Sequence, residues 1–248
     1  MNDERILFGI AYSPWTEKAR FALAVKHVDY QYREHTPLLG EIRLRRVAGG
    51  VLRKASVPLL LDGDRVIMDS FSIAKHGERI GPGPTLFPPG EDGRIRDAND
   101  LSERIIAAGR ARVMRDLPKH PGAQAEAIPP AFPRALHGVL RPLARQGSEF
   151  LARKHGVRRS ARANAEAEQR EALQQIREQL AGRRTVFDAF SYADIAYAVA
   201  LQSIRPVADR WLPLGAATRT LWTVPALAEE FADLLAWRDD VYQSWRGG

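Results

Sequence analysis

A glycine- and proline-rich stretch divides this sequence into two parts with different periodicities. The stretch "GPGPTLFPPGEDG" covers residues 81–93 and is typical of a linker, because proline and glycine interrupt both helices and strands. Before it, short apolar runs alternate with helical patterns, and after it the periodicity is helical. We therefore predict an α/β domain over residues 1–80, a linker over 81–93 and an all-helical domain over 94–248.

The first part predicts the order β-α-β-α-β-β-α. Strands are expected in "RILFGI" and "YQYREH", with a helix in "PWTEKARFALAVKHV" between them and a weak helix in "GEIRLRRVAGGVLRKA" after them. Two apolar runs flank Asp62-Gly63, a turn pair that favours a hairpin. A helix then follows in "SFSIAKHGERIG" with Ser70 as its N-cap. The β-α-β opening implies parallel strands. This layout is thioredoxin-like.

The second part predicts a set of helices without an internal repeat. Long helices are expected in "RIRDANDLSERIIAAGRARVMRDL" and "SARANAEAEQREALQQIREQL". Six prolines within residues 118–147 exclude a straight helix, so we expect a loop and then a short helix containing "ALHGVL". The segment "FSYADIAYAVALQSI" is apolar on all sides, which predicts a buried helix. The segment "PALAEEFADLLAWRDDVYQSW" predicts the last helix.

Composition excludes several classes of site. The sequence has no cysteine, which excludes disulfides, thiolate metal sites and a protein thiol nucleophile. No His, Asp and Glu cluster has convincing metal spacing, so no metal site is expected. Residues 101–185 carry 17 Lys and Arg against 8 Asp and Glu, but these are spread along helices without interleaved aromatics. We therefore expect no nucleic-acid partner. Without a long apolar run or a signal peptide, we expect no membrane partner and a cytoplasmic location.

Four short motifs in order resemble the cytosolic glutathione transferases over nearly the whole chain. They are "YSPWTEKAR" at the first strand-to-helix turn, "SVP" at residues 56–58, "DS" at residues 69–70, and "FSYADIAYA" at the start of the buried helix. The resemblance implies a thioredoxin-like N-terminal domain that binds glutathione and an all-α C-terminal domain. Ser191 and Asp194 form an S-x-x-D capping box, to which we assign a folding role.

The resemblance implies a set of glutathione contacts. Pro58 is expected to follow a cis peptide bond, with the Val57 backbone pairing with the cysteinyl part of glutathione. Ser70 and the helix N-terminus would hold the γ-glutamyl carboxylate, and Asp69 would bond the ammonium group. The glycyl carboxylate needs a cation, and the sequence leaves several open. They are Lys54, Arg53, Arg43, Arg45 and Arg46.

Ser13 is the candidate catalytic residue. An unperturbed thiol has a pKa of about 8.5 and its thiolate is the nucleophile, so a hydroxyl that donates to sulfur and a helix N-terminus would both favour the reactive anion. Resemblance to serine-type transferases favours this role for Ser13. The alternatives are that Ser13 only caps the helix, that Tyr12 activates the thiol, or, as a weaker candidate, Thr16.

The electrophile is expected beside the thiol and is not identified by the sequence. Candidate lining residues are Tyr12, Trp15, Arg110 and Met114, with Ile106 near the last two. The expected reaction is attack of the glutathione thiolate on an apolar electrophile by a homodimeric, detoxifying enzyme. The alternative is a catalytically weak glutathione-binding or scaffold protein of the same fold, since a fold does not determine a function. Thiol exchange is not expected, because the chain has no cysteine.

Overall fold

The computed structural model describes residues 5–37, 40–126 and 165–247 of the chain. The chain forms two compact units, each built from several chain segments. The first comprises residues 1–100, 183–199 and 237–248, and the second comprises 101–182 and 200–236. Across the parts of the chain that are described, we find no helix both long and apolar enough to cross a membrane.

The N-terminal segment has the predicted order of strands and helices. Its elements are β1 (Arg5–Gly9), α1 (Pro14–Val25), β2 (Gln31–Glu34), α2 (Glu41–Val47), β3 (Leu59–Asp62), β4 (Arg65–Met68) and α3 (Ser70–Ile80). The strands form a sheet in the order β2-β1-β3-β4, with β1 parallel to β2, as predicted, and β3 antiparallel to both neighbours. This is the predicted thioredoxin-like arrangement.

The hairpin turn lies one residue later than predicted. Asp62 pairs with Arg65, which leaves Gly63 and Asp64 as the two loop residues in place of Asp62-Gly63. Gly63 has a φ of 57°, a left-handed conformation that glycine adopts without a steric cost. The glycine therefore occupies the first of the two turn positions.

Alternation along β1 sends its side chains into two apolar clusters, one on each face of the sheet. Leu7 packs with Leu23 and Ile73 from α1 and α3. Its neighbours Ile6 and Phe8 pack on the opposite face with a cluster that includes Leu44 from α2. Because side chains of a strand alternate between faces, three successive residues of β1 contribute to both cores.

Lys26 fixes the chain that follows α3. Its side chain is buried, and Nζ donates to the carbonyls of Gly83 at 2.6 Å and Pro84 at 3.0 Å and forms an ion pair with Glu78 at 3.1 Å. A Cβ on Gly83 would lie 2.1 Å from the Val25 carbonyl oxygen, so this close approach requires glycine. The predicted linker is therefore bonded to the end of α1.

His76 on α3 is buried and has a specific partner. Its Nε2 lies 2.6 Å from an Asp62 carboxylate oxygen, and Arg5 pairs with the same carboxylate at 3.0 Å. Burial acts to raise the pKa of Asp62, but the hydrogen bond to His76 and the charge of Arg5 outweigh it, so that the pKa is lowered. The group of Arg5, Asp62 and His76 joins α3 to the hairpin at the end of β3.

The rest of the described chain is helical. Its helices are α4 (Asp92–Asp116), α5 (Pro121–Glu126), α6 (Ala165–Leu180), α7 (Tyr192–Ala200), α8 (Ala216–Trp222), α9 (Pro225–Glu230) and α10 (Ala232–Val241), followed by a π-helical turn at Tyr242–Arg246. The start of the proline-rich segment is not a loop, since a 3-10 turn at Leu117–Lys119 leads into α5, with Pro121 at its first position. The helix expected around "ALHGVL" lies outside the described residues. The expected single last helix is divided at Phe231, and α8 was not predicted.

The predicted capping box at the start of α7 is present. The Asp194 carboxylate accepts from the Ser191 N–H at 2.8 Å, from the Ser191 hydroxyl at 2.9 Å and from the Val186 N–H at 2.7 Å. Every residue from Ser191 to Ala200 is buried, as predicted for this helix. Burial raises the pKa of Asp194 to about 6, although these hydrogen bonds act to lower it.

Within the second unit, polar side chains connect helix ends that are distant in sequence. Arg112 on α4 donates to the carbonyls of Leu221 and Trp222, both at 2.8 Å, at the end of α8. Glu126 accepts from the Ala217 N–H at 3.1 Å and the Thr218 N–H at 2.8 Å at the start of α8. Hydrogen bonding with Thr218 keeps the pKa of Glu126 below its ordinary value. Both ends of α8 are therefore bonded by remote side chains.

Candidate functional site

The strand register brings the predicted glutathione-binding segments to one end of the sheet. Phe8 near the end of β1 is opposite Leu59 at the start of β3, and Leu59 is opposite Met68 at the end of β4. Neighbouring strands are about 4.8 Å apart. The turn after β1, the Val57-Pro58 segment before β3 and the Asp69-Ser70 segment after β4 therefore leave the sheet at the same end.

Ser13 is the N-cap residue of α1, and Pro14 begins the helix, as the sequence indicates. The Ser13 side chain makes no cap hydrogen bond, so its hydroxyl is not committed to the first turn. Its backbone N–H donates to the Ile10 carbonyl at 2.9 Å, which fixes the turn. Thr16, the weaker candidate, is buried and its Oγ1 accepts from the Ile10 N–H at 3.2 Å. Thr16 therefore stabilises the turn through its buried hydroxyl.

Tyr12 differs from Ser13 in its surroundings. The side chain is 49% exposed. Loss of hydration raises the pKa of the Tyr12 phenol, and the negative charge of Glu34 raises it further. The phenol therefore stays protonated well above neutral pH. It has a proton to donate, but the charge of Glu34 disfavours a second negative charge nearby.

Glu34 is a residue of this region that the sequence analysis did not identify. Its carboxylate accepts from the Ala11 N–H at 3.2 Å and from the Tyr32 hydroxyl at 2.7 Å. Arg20 lies over the Tyr32 ring, with its guanidinium carbon 5.3 Å from the ring centroid. Burial and the Glu34 hydrogen bond raise the pKa of Tyr32. Glu34 thus connects the end of β2 to the turn that carries Ser13.

The Val57-Pro58 peptide bond is cis, as predicted. Pro58 is buried and Val57 is half-buried. The ladder between β1 and β3 ends at Leu59, so the Val57 backbone lies beyond the last strand pair. Lys54 and Arg53, two of the candidate cations, are exposed a few residues earlier.

The predicted N-cap of α3 is wrong by one residue. Asp69 is the N-cap and Ser70 is the first helical residue, because the Asp69 carboxylate accepts from the Ser72 N–H at 2.8 Å. Asp69 has a φ of 65° and a ψ of 148°, a backbone conformation that residues other than glycine rarely adopt. The Ser70 side chain is buried at the helix end, and the Ser70 and Phe71 N–H groups are among those that a helix cannot bond internally.

A cleft of about 230 Å³ lies at the end of the sheet where β2 leads to α2. The Arg43 guanidinium carbon is 6.0 Å from the centroid of the Phe8 ring. The lining includes Phe8, Glu34, His35, Thr36, Arg43 and Leu44. Of the five candidate cations, Arg43 alone lines this cleft, whereas Arg45 and Arg46 are exposed elsewhere on α2.

The four candidate electrophile residues belong to different compact units. Tyr12 and Trp15 are in the first unit, and Arg110 and Met114 on α4 are in the second. Trp15, Arg110 and Met114 are half-buried, and burial lowers the pKa of Arg110. Their grouping around an electrophile stays a prediction. Among residues 5–37, 40–126 and 165–247, no cluster of three or more His, Asp or Glu side chains could hold a metal ion.

Known proteins resemble this chain in sequence over its first part and in fold over nearly all of it. Residues 7–85 match the family model "Glutathione S-transferase, N-terminal domain". Glutathione S-transferase Z1 of Arabidopsis thaliana is 33% identical over 102 residues, which are 40% of this chain and 45% of the relative. The matched stretch thus spans less than half of that curated relative.

Solved structures extend the likeness to the helical part. A glutathione S-transferase of Methylobacterium radiotolerans, in complex with glutathione sulfonate, has a TM-score of 0.60 at 18% identity and covers 97% of this chain and 91% of its own. One from Methylobacillus flagellatus, with glutathione bound, has a TM-score of 0.61 at 16% identity and covers 97% and 95%. Residues 7–85 of this chain are therefore an N-terminal domain of the glutathione S-transferase family, and the chain has the fold of that family.

Proposed function

We propose that the chain is a glutathione transferase, which binds glutathione at the end of the sheet and activates its thiol for attack on an apolar electrophile. The register of β1, β3 and β4 is the observation that carries the proposal, because it gathers three segments with complementary chemistry. One segment offers a free backbone edge, one a helix N-terminus with a buried hydroxyl, and one a hydroxyl at a second helix N-terminus. These match the peptide, the γ-glutamyl carboxylate and the thiol of glutathione.

The backbone of Val57 is proposed to pair with the cysteinyl residue of glutathione. Because Val57 lies just before the first ladder pair of β3, its N–H and C=O can bond an extended peptide that continues the sheet. Two main-chain hydrogen bonds would then fix the sulfur relative to α1. Pro58 is buried and holds this edge in place.

The N-terminus of α3 is proposed to hold the γ-glutamyl group. The N–H groups at a helix start carry partial positive charge and favour a carboxylate. The Ser70 hydroxyl adds a donor, and the exposed Asp69 carboxylate is available for the ammonium group. For the glycyl carboxylate we propose Lys54 or Arg43, of which Arg43 is favoured by its place at the cleft.

Ser13 is proposed to stabilise the glutathione thiolate. Its hydroxyl is uncommitted at the N-terminus of α1, so hydrogen bonding and the helix dipole act on sulfur in the same direction. The thiol loses its proton to solvent, the thiolate forms a sulfur–carbon bond, and the leaving group departs with the bonding electron pair. Tyr12, Trp15, Arg110 and Met114 are proposed to contact the electrophile, with a homodimer in the cytoplasm as the working state.

The test combines retention on immobilised glutathione with conjugation of a chlorinated dinitrobenzene. We expect Ser13→Ala to bind glutathione but to lose about 10²-fold in kcat/KM. Ser70→Ala should raise the KM for glutathione about 10-fold or more, because a hydrogen bond to a charged group is lost. Ser72→Ala is the matched control, since Ser72 is an exposed serine in the same helical turn.

Two results would contradict the proposal. A wild-type protein that neither binds glutathione nor conjugates any of a broad panel of electrophiles is not a transferase. A protein that binds glutathione with an affinity unaffected by Ser13→Ala, and turns over nothing, is the binding or scaffold protein that the sequence left open. Size-exclusion chromatography tests the homodimer separately.

A further inference from the structure

Glu17 places a negative charge next to the proposed thiolate site. It lies in the first turn of α1, four residues after Ser13. Four residues advance a helix by about 6 Å and return to nearly the same face. A carboxylate on this face of α1 repels a thiolate at Ser13 and opposes the helix dipole. The helix that is proposed to activate the thiol therefore carries a charge that would deactivate it.

Arg246 supplies the opposite charge from the other end of the sequence. Its Nε donates to Glu17 Oε1 at 2.8 Å, and only 7% of the Glu17 side chain and 11% of the Arg246 side chain are exposed. Arg20 is a second cation, 3.8 Å from Glu17. Burial acts to lower the pKa of Arg246, but the charge of Glu17 and the hydrogen bond raise it, so the guanidinium stays charged. The nearby phenols of Tyr242 and Tyr30 also act to raise it.

Aromatic contacts fix the turn that carries Arg246. Trp245 stacks on Phe190, with ring centroids 4.1 Å apart and planes at 8°. Tyr242 is fully buried, and its ring centroid is 5.1 Å from that of Phe21 on α1. The Arg246 guanidinium is therefore held against α1 by the packing of Tyr242 and Trp245, which precede it in the same turn.

We propose that Arg246 is a positioning residue for catalysis, which neutralises Glu17 and so keeps the N-terminal end of α1 favourable for the glutathione thiolate. The inference rests on the proposed function and names a residue that sets the acidity of the bound thiol without touching it. Glu17 is a buried acid one turn from the proposed thiolate, and its ion pair with Arg246 compensates its charge. The pair acts as a neutral unit, and removal of either member leaves the charge of the other.

The test is titration of the bound glutathione thiol, followed by thiolate absorbance in the complex without an electrophile. Arg246→Met leaves Glu17 less compensated and should raise the thiol pKa by on the order of one pH unit, as expected for a unit charge at roughly 8 Å near a protein surface. Glu17→Gln should lower it by a similar amount. The double variant should return towards the wild-type value, since the net charge of the pair is again zero.

Opposite signs of the thiol pKa shifts in the two single variants distinguish charge compensation from a purely structural role of the pair. If the pair only held α1 in place, both single variants would break the same contact, and would change the thiol pKa in the same direction or not at all. Arg246→Lys should retain most of the effect, and Arg94→Gln, which removes an exposed arginine paired with Glu91, should change nothing. Thermal denaturation shows whether each variant is folded. If Arg246→Met does not fold, the double variant is compared with the wild-type protein and with Glu17→Gln instead.

The outcomes separate this inference from the proposed function. If the wild-type protein does not lower the thiol pKa of bound glutathione, the proposed function and this inference both fail. If it does, but the two single variants shift the thiol pKa in the same direction, or Arg94→Gln matches Arg246→Met, the inference alone is wrong.

Discussion

Two helices of the first unit begin with a serine at the N-cap, and the two starts are built for different purposes. At α7, Ser191 and Asp194 bond each other, and Asp194 also accepts from the Val186 N–H, all without exposure to solvent. At α1, the half-buried Ser13 makes no side-chain cap bond. At the start of α7 the capping groups bond each other, whereas the start of α1 keeps the Ser13 hydroxyl available.

A single residue of spacing accounts for the difference. In a capping box the acid stands three residues after the N-cap and reaches back to it, as Asp194 does from Ser191. At α1 the acid stands four residues after Ser13, and Thr16 occupies the box position. Glu17 instead bonds Arg246, 229 positions away. The spacing at α1 thus leaves the Ser13 hydroxyl without the cap bond that a complete capping box would give it.

The closed helix start should be the more costly to break. Asp194→Ala would leave two N–H groups and a hydroxyl buried without their acceptor, so we expect the free energy of unfolding to fall by about 3 kcal/mol or more. Chemical denaturation of the purified protein measures it. Asp188→Ala, at an exposed acid six residues earlier, should change it by less than about 0.5 kcal/mol. Equal effects of the two substitutions would contradict a buried capping role.

The pH dependence of stability tests the same carboxylate. The pKa of Asp194 is about 6 in the folded state against an ordinary value of 3.8, so the folded protein binds more protons than the unfolded chain between these two values. Its contribution to the free energy of unfolding therefore rises as pH falls from 7 to 4, by up to about 3 kcal/mol. Asp194→Asn should abolish this part of the slope. A wild-type minus variant difference that is flat, or that falls towards acid pH, would disprove the raised pKa.

The two serines should contribute different amounts to the free energy of unfolding. Ser191→Ala removes a buried hydroxyl bonded to Asp194 and should cost about 1–2 kcal/mol. Ser13→Ala removes a hydroxyl without a cap bond and should cost less than about 0.5 kcal/mol. Both are read from denaturation midpoints at constant slope. A Ser13→Ala variant as unstable as Ser191→Ala would make Ser13 a capping residue and leave the thiol to another group.

Local patterns predicted what depends on neighbours in sequence. A short apolar run located β1, alternation located β2, and a segment apolar almost all round predicted the burial of α7. The N-cap of α3 was misplaced because both Asp69 and Ser70 are good caps, and only the bond to the Ser72 N–H distinguishes them. Neither proline nor glycine marks the break at Phe231, whose side chain is fully buried.

Contacts between distant residues had no signal in the sequence. Glu34 meets the Ala11 N–H through the pairing of β1 with β2, and Glu17 meets Arg246 only in the folded chain. Glu34 and Glu17 are charged residues of a strand and a helix, and nothing near them in sequence indicates their partners. The motifs located the segments that leave the sheet at one end, but they did not predict the long-range partners Glu34 and Arg246.

Tyr12→Phe should have the smallest effect. If Ser13 is the donor to sulfur, loss of the half-exposed phenol should change kcat/KM by less than about 3-fold and leave the thiol pKa unchanged. The raised pKa of Tyr12 and its proximity to Glu34 make it a poor neighbour for a second anion. Steady-state conjugation and thiol titration measure both quantities. A Tyr12→Phe variant that loses as much activity as Ser13→Ala, with a thiol pKa raised to match, would assign the activating role to Tyr12. Ser13 would then have no part in activating the thiol.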